Sequence, residues 1–509
     1  MGLYTKPPVP NYKELPAGGG SQCQFRRRST AIACMPVNSI GFSTKLVYGF
    51  GTVAYGIKDN GFNFLLLIFY NQLLGLPAQL VGFAIMIALI IDGFVDPLIG
   101  HVSDRFHSRL GRRHPFMYAS ALPCALAYYL LWNPPGGLGA GALFWYLLVT
   151  AIVVRILIAL YEVPSAALLA ELTEDYDLRT SLVAYRFFFG YLGAVLMGVI
   201  ALSIFLRPTA AQAVGLLNRA GYHGYSIAAA LCMFGSILIS SAGTHHYIPY
   251  LRAPPPKRPF DPGRELREVR AALNNRPFLS MLACGVFSNM AFGLVATLSV
   301  YFYTYFWELS ADQVSALLLS ALISAGAALI VAPVITKRLD KKRGAIVAAV
   351  ITLVLGPSPL VLRLCGWFVS NSSPALMPIL LVFTLVLGTM TVVSSALVTS
   401  MLADTVEENE IRTSQRTEGL YFAAAFFVQK CVSGLGIFAA SIILAWVKFP
   451  EGARPGLVSP QILRHLALTY IPLLMVLLGI SIFCITFYRI GRAAHNSNLA
   501  LLHEAHGNG

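Results

Sequence analysis

Charged residues are scarce in this sequence. Asp, Glu, Lys and Arg make up 12% of the 509 residues, whereas 56% are hydrophobic and the mean hydropathy is +0.67. A soluble domain carries roughly 25% charged residues. Because long apolar runs recur along the whole length, the composition excludes a soluble protein with a single anchor. We therefore predict a multi-pass protein of the plasma (cytoplasmic or inner) membrane, with the lipid bilayer as its surroundings.

Cysteine patterns that would indicate a metal or redox site are missing. The eight Cys are scattered, with no CxxC pair and no Cys/His cluster at metal-ligand spacing. Most lie in apolar runs, where a thiol packs as a small apolar side chain. We expect no disulfide, no structural metal and no organic cofactor.

Acidic residues are also few, which gives a net charge of +14. A basic balance can indicate a nucleic-acid partner. Here, however, Lys and Arg collect in short segments between alternate apolar runs, which is the positive-inside pattern of membrane proteins. The distribution argues against nucleic-acid binding.

A cleavable signal peptide is not apparent. Arg26, Arg27 and Arg28 precede a short apolar run that Pro36 interrupts. The segment 1–40 is rich in Pro and Gly and is predicted to be a disordered cytoplasmic tail. Met35 as the true start is a hypothesis that N-terminal sequencing would test.

Twelve apolar runs are long enough to cross a bilayer as helices. They lie near 44–74, 78–102, 115–133, 142–170, 181–206, 225–249, 278–306, 312–337, 344–368, 375–403, 418–447 and 465–489. The basic segments 104–114, 251–276 and 337–343 fall on one side, which places both termini in the cytoplasm. The predicted organisation is a tail (1–40), a six-helix bundle (41–250), a cytoplasmic linker (251–276), a second six-helix bundle (277–492) and a tail (493–509).

The two halves resemble each other. Ser165–Ser181 reads SAALLAELTEDYDLRTS and Ser395–Ser414 reads SALVTSMLADTVEENEIRTS. In both, the fourth apolar run of the half ends in an acidic loop and [LI]RTS precedes the next run. Such a parallel repeat predicts a binding site between the halves, near the bilayer midplane.

Asp92 and Asp96 stand out because they lie inside the apolar run Leu80–Gly100. Their four-residue spacing puts both carboxylates on one helix face. One carboxylate at the bilayer centre already costs about 2.5–3.5 kcal/mol. Two neighbouring acids persist there only if a positive group lies between them or if they share a proton. The pair therefore indicates a cation-coupled transporter.

Several motifs resemble those of one transporter family. They are Thr44–Gly51 (TKLVYGFG), Asp92–Gly111 (DGFVDPLIGHVSDRFHSRLG), Glu162–Pro164 followed by Tyr185–Phe188 (YRFF), and Lys430 after a Glu-Gly-Leu-Tyr stretch. The chain resembles the glycoside–pentoside–hexuronide:cation symporters of the major facilitator superfamily, whose best-known member is melibiose permease. It resembles the sodium-dependent lysophospholipid symporters of animals more distantly.

The resemblance implies an all-α major facilitator fold of twelve transmembrane helices in two six-helix halves. It implies that Asp92 and Asp96 ligate Na⁺, Li⁺ or H⁺ and that Lys430 faces this cation site. It further implies that Glu162 and Arg186 contact a sugar, with Glu162 also acting at the cation site.

Three positions depart from melibiose permease. An Arg three residues before the paired acids is Leu89 here, and a Trp four residues after the fourth-run acid is Ala166. The Lys58–Asp59 pair is present about one turn later than expected. These differences leave the substrate open but do not affect the paired acids.

Eight ionisable residues fall inside the predicted spans at some depth: Lys58, Asp59, Asp92, Asp96, Arg155, Glu162, Arg186 and Lys430. Four are acidic and four basic, which predicts a neutral network around one cavity. Lys430 is expected to neutralise the acid pair until a cation replaces it. Lys58, Asp59, Tyr161 and Tyr185 are candidate substrate contacts. Arg155 is expected to snorkel or to pair with Glu162. The alternative that these charged residues, including Glu162 with Arg186, form purely structural salt bridges between helices stays open.

Asp104, Arg105, Arg112 and Arg113 look like the superfamily's loop signature between the second and third spans, and we predict a gating role for them. Asp340 and its basic neighbours are the candidates for the equivalent role in the other half.

The acidic loops Glu171–Asp177 and Asp404–Glu410 are expected to meet these basic loops across the cytoplasmic face. Such contacts would open and close with the transport cycle.

The leading hypothesis is a monomeric secondary transporter that couples a sugar or glycoside to Na⁺ or H⁺. A lysolipid carrier is the alternative within transport, and a channel or a sensor with a transporter fold is the alternative from another class. An enzyme is not expected, because no set of nucleophile, base and orienting group lies on the spans.

Overall fold

The structure, a computed structural model, describes residues 40–173, 175–210, 212, 214–250, 276–413 and 418–488. The predicted tails 1–40 (apart from Ile40) and 493–509 and nearly all of the linker 251–276 lie outside these residues. The boundaries predicted for the tails, the linker and the two bundles stay predictions.

Helices account for the regular structure in these residues. The α-helices are α1 (Phe42–Phe50), α2 (Val53–Asn60), α3 (Leu66–Ile68), α4 (Ala78–Arg105), α5 (His114–Leu131), α6 (Ala140–Leu172), α7 (Tyr176–Ile200), α8 (Arg219–Thr244), α9 (Arg276–Tyr301), α10 (Ala311–Leu355), α11 (Ser358–Leu364), α12 (Leu376–Thr413), α13 (Glu418–Trp446) and α14 (Pro460–Thr486). Four π-helical turns interrupt or extend them, at Gly61–Leu65, Phe69–Leu73, Ala201–Phe205 and Phe302–Phe306. Short 3₁₀ turns occur at Gly215–Leu217 and His245–Tyr250.

Nine helical stretches within the described ranges are long and apolar enough to cross a membrane. One of them holds both the predicted eighth and ninth spans, because α10 consists of two helices that meet at a kink at Asp340, where the backbone is not helical (φ 69°). The predicted first span lacks a single long helix, since it is divided into α1, α2, α3 and two π turns. The number of twelve spans and the cytoplasmic position of the termini stay predictions.

Gly51, between α1 and α2, lies in close contact with two other helices. A Cβ at Gly51 would lie 1.6 Å from the Tyr161 hydroxyl and 2.6 Å from Ser240 Cβ. Only glycine allows α6 and α8 to approach the chain this closely. The first helical segment therefore packs tightly against α6 and α8 at this position.

Helices α4 and α13 come into close contact along small residues. A Cβ at Gly82 would lie 2.1 Å from Ser441 Oγ, and one at Gly434 would lie 3.1 Å from Met86 Cα. Small residues permit such close helix contacts in membranes, where van der Waals packing drives association. This contact brings Lys430 of α13 to the acid pair on α4.

Candidate functional site

Lys430 lies between the two acids of α4. Its Nζ forms an ion pair with Asp96 Oδ2 and lies 3.3 Å from Asp92 Oδ2. Asp92 is 2% exposed, whereas Asp96 and Lys430 are 27% and 26% exposed. One ammonium thus contacts both carboxylates, and the contact joins the N-terminal part of the chain to the C-terminal part.

Arg155 of α6 is the second cation at this pair. Its Nη1 donates a hydrogen bond to Asp92 Oδ2 at 3.1 Å, and both side chains are 2% exposed. Its guanidinium also lies 4.4 Å from the centre of the Phe62 ring. The expectation that Arg155 snorkels or pairs with Glu162 is therefore wrong, because α4 packs against this face of α6 and offers a closer acid.

Arg155 and Lys430 contact only one oxygen of each acid, Oδ2. Among the described side chains, Asp92 Oδ1 and Asp96 Oδ1 are buried and have no hydrogen-bond partner. A buried carboxylate oxygen without a donor is unfavourable unless a cation or a proton binds it. Carboxylate oxygens are also the ligands that hard cations prefer. The donor set therefore fits a small monovalent ion or a proton.

Glu162 and Arg186 form a separate ion pair. Arg186 Nη2 donates to Glu162 Oε1, and its Nη1 donates to Ser165 Oγ at 2.8 Å and to the Tyr48 hydroxyl at 3.3 Å. Glu162 Oε2 is buried and has no hydrogen-bond partner in the part of the chain that the structure describes. The pair thus offers one unused carboxylate oxygen beside a held guanidinium, which is a suitable arrangement for substrate hydroxyls.

One helix connects the two charge clusters. Arg155 and Glu162 are seven residues apart on α6, so they lie on the same face about 10.5 Å apart along the axis. Arg155 reaches Asp92 and Glu162 reaches Arg186. A movement of α6 relative to α4 or α7 would therefore affect both clusters.

The other predicted substrate contacts differ in their burial and in their neighbours. Lys58 is 1% exposed, lies 3.5 Å from Asp59 Oδ1 and sits 4.0 Å from the Tyr55 ring centre. Tyr161 is fully buried and donates to Ser240 Oγ at 3.0 Å, which ties α6 to α8. Tyr185 packs edge-on against Phe42. Their roles as substrate contacts stay predictions.

The predicted gating residues of the first half form a charge cluster. Arg113 pairs with Asp104, and its Nε lies 2.9 Å from Glu171 Oε1. Arg112 Nη2 lies 2.8 Å from the same Glu171 oxygen. Arg105 is exposed at the end of α4. The acidic end of α6 thus contacts the basic loop of its own half.

In the second half, Lys341 rather than Asp340 makes the ion pair. Lys341 Nζ lies 2.8 Å from Asp404 Oδ1, and the Tyr488 hydroxyl donates to Asp404 Oδ2 at 3.0 Å. Asp340 has φ 69° and accepts a hydrogen bond from the Lys341 backbone N–H. Asp340 therefore shapes the turn that separates the two parts of α10.

Arg155 is the residue that the sequence-based site set missed. Its position inside an apolar run was visible, but the seven-residue spacing pointed to Glu162 on the same helix. The partner on α4 could not be read from the spacing, because it depends on how two helices rotate against each other.

Comparison with known proteins places these features in a family. The sequence model described as "MFS/sugar transport protein" matches residues 47–492. The isoprimeverose transporter of Lactiplantibacillus pentosus is 24% identical, with 89% of this chain and 90% of that protein covered. The mouse sodium-dependent lysophosphatidylcholine symporter 1 is 25% identical, with 87% of this chain and 85% of that protein covered.

A solved structure shows the same fold. The inward-open xylose transporter XylE from E. coli aligns with a TM-score of 0.58 at 14% identity, covering 88% of this chain and 95% of that one. At this identity the likeness concerns the fold alone. The family match extends over most of the chain, including α4, α6, α7 and α13, and it confirms the expected relation to the major facilitator superfamily. This multi-pass membrane protein therefore belongs to the MFS/sugar transport protein family.

Proposed function

We propose that this protein is a secondary transporter of the plasma membrane that imports a sugar or glycoside together with a cation by alternating access. The observation that carries the proposal is the ion bridge from Lys430 to Asp92 and Asp96, with one buried, unpartnered oxygen left on each acid. A charge pair of this kind inside a membrane is expensive and is characteristic of an ion pathway. Family membership supports the same function.

In the first step, a cation replaces the Lys430 ammonium. Without the cation, Lys430 and Arg155 together neutralise the two acids. A Na⁺ ion held by the carboxylates of Asp92 and Asp96, or a proton on one of them, would compensate the negative charge that holds the Lys430 ammonium in place. Because Lys430 is 26% exposed, it has room to move towards water. Its release weakens one of the charged contacts that join α4 to α13.

The substrate step takes place at the Glu162–Arg186 pair. A sugar hydroxyl donates well to the free Glu162 Oε2, and the Arg186 guanidinium donates to ring or hydroxyl oxygens. Coupling requires that cation and substrate favour the same conformation of the bundle. Helix α6 supplies the mechanical connection, because it carries both Arg155 and Glu162.

Ion-driven uptake in proteoliposomes tests the function. Sugars, glycosides and lysolipids are screened with an inward Na⁺ gradient, with a pH gradient and with no gradient, using wild type, Asp92→Asn and Asp96→Asn. Saturable sugar uptake that requires a gradient and both acids supports symport. Full uptake in both variants, or uptake indifferent to every gradient, contradicts it. Non-saturating flux would indicate a channel, and binding without flux a sensor.

A lysolipid is the second candidate substrate. Ala166 is exposed one turn after Glu162, where a stacking ring would favour a sugar, and Leu89 is buried one turn before Asp92 on α4. Both residues make the surroundings of the charge clusters more apolar. The similarity to the mouse lysophosphatidylcholine symporter supports this alternative. Uptake of a lysolipid in the same screen, with no sugar transported, would favour it.

A further inference from the structure

Arg155 is more enclosed than Lys430. The Arg155 side chain is 2% exposed, lies against the Phe62 ring and donates to Asp92. Lys430 is 26% exposed and contacts both acids. A guanidinium stays charged under all ordinary conditions, and its flat fork is suited to buried ion pairs. The acid pair thus has one enclosed and one partly exposed cation.

The charges of these four residues sum to zero. Asp92 and Asp96 contribute two negative charges, and Arg155 and Lys430 contribute two positive ones. A bound Na⁺ would leave the cluster with one excess positive charge unless a cation departs. A buried uncompensated charge is strongly unfavourable. Since Arg155 is enclosed, the group that departs is Lys430.

We propose that Arg155 is a positioning residue that makes cation binding and Lys430 release a one-for-one exchange. Arg155 compensates one carboxylate permanently, so the second carboxylate can be neutralised either by Lys430 or by one monovalent cation. Without Arg155, the cluster carries one negative charge while Lys430 is still bound. A cation then binds beside Lys430, and its binding no longer moves α13.

This inference rests on the proposed cation coupling and is tested with Na⁺ alone. Purified wild type, Arg155→Gln and Arg155→Lys are titrated with NaCl at constant ionic strength in choline chloride. The Na⁺ dissociation constant is measured by scintillation proximity with ²²Na⁺. In parallel, acetylation of Lys430 by a water-soluble amine reagent is followed by mass spectrometry. Lys448 is exposed and serves as the internal labelling control.

The expected result has two parts. In wild type, Na⁺ raises Lys430 acetylation with the same half-saturation as Na⁺ binding. In Arg155→Gln, Na⁺ binds at least about tenfold more tightly, and Lys430 acetylation no longer responds to it. Arg155→Lys keeps the charge and behaves as wild type in both measurements. A merely structural role would instead weaken Na⁺ binding in Arg155→Gln.

Three results would overturn the inference. They are Na⁺ binding to Arg155→Gln that is unchanged or weaker, Lys430 acetylation that still responds to Na⁺ in this variant, and wild-type Na⁺ binding that leaves Lys430 acetylation constant. The last result needs no variant, so it can overturn the inference even if Arg155→Gln fails to fold. Wild-type protein that binds no Na⁺ would overturn Na⁺ coupling as well, which separates the two failures.

Discussion

Gln72 connects the first helical segment to the chain after α13. Its Oε1 accepts a hydrogen bond from the Ala453 backbone N–H at 3.0 Å, and its Nε2 donates to Asn71 Oδ1 at 2.8 Å. The Tyr301 hydroxyl donates to the same Asn71 oxygen at 3.2 Å. Asn71 and Gln72 are each 3% exposed, so these bonds are buried. They hold the two halves together at the end predicted to be external.

Replacing Gln72 by Leu should weaken this hydrogen-bonded contact between the two halves. The change leaves the Ala453 N–H without its acceptor, which costs about 1–3 kcal/mol in the closed state but little when water can reach the group. We therefore expect a larger population open to the outside. The measurement is labelling of Thr297→Cys, which is 1% exposed, by an impermeant maleimide added externally. Ser372→Cys, in an exposed loop, is the control whose labelling should not change.

Asp92→Asn should destabilise the protein more than Asp96→Asn. The first change leaves Arg155 buried beside a neutral amide, and breaking a buried pair costs about 3–5 kcal/mol. The second leaves Lys430, 26% exposed, still 3.3 Å from Asp92. Apparent melting temperatures in detergent would measure the difference. Equal melting temperatures would show that Arg155 does not depend on Asp92.

Gly82→Ala should lower Na⁺ affinity although Gly82 is not in the charge cluster. The new Cβ would lie 2.5 Å from Ser441 Cβ, a contact that rotation of the hydroxyl does not relieve, so we expect α4 and α13 to separate and Lys430 to move away from the acids. We expect at least about a tenfold weaker affinity, because small misplacements of charged groups are costly. The double variant with Ser441→Gly should recover much of it. Gly479→Ala, where a Cβ meets nothing within 4 Å, should bind Na⁺ as wild type does.

Glu171→Gln should slow transport more than Asp104→Asn. Glu171 is 5% exposed and accepts from both Arg112 and Arg113, whereas Asp104 is 50% exposed. Exposed ion pairs contribute only about 0–1 kcal/mol. Initial uptake rates, corrected for the amount of protein in the membrane, would test the order. The reverse order would mean that Asp104 has a different partner in another state of the cycle.

The charged residues of α4 show what could be predicted from sequence. The spacing of Asp92 and Asp96 follows from the helical period, and their place in an apolar run follows from composition. Lys430 as their partner came from the family resemblance, and the structure places it there. Whether these residues bind a cation stays a prediction for the experiments above.

Helix continuity was predicted unevenly. Apolar runs indicated separate eighth and ninth spans, and the structure has two helices there that meet at a kink at Asp340. The first run appeared uniform, yet α1 and α2 are separated at Gly51 and Thr52. Hydropathy along one segment does not report a local break of this kind.

The sequence by itself determined the membrane-spanning character, the acid pair and the helix faces, because hydropathy and the helical period are local properties. Only the tertiary structure decided that Arg155 pairs with Asp92, that Glu162 pairs with Arg186 and that Gln72 reaches Ala453. These partners lie on different segments, and their meeting depends on how closely the segments pack and how they are rotated about their axes.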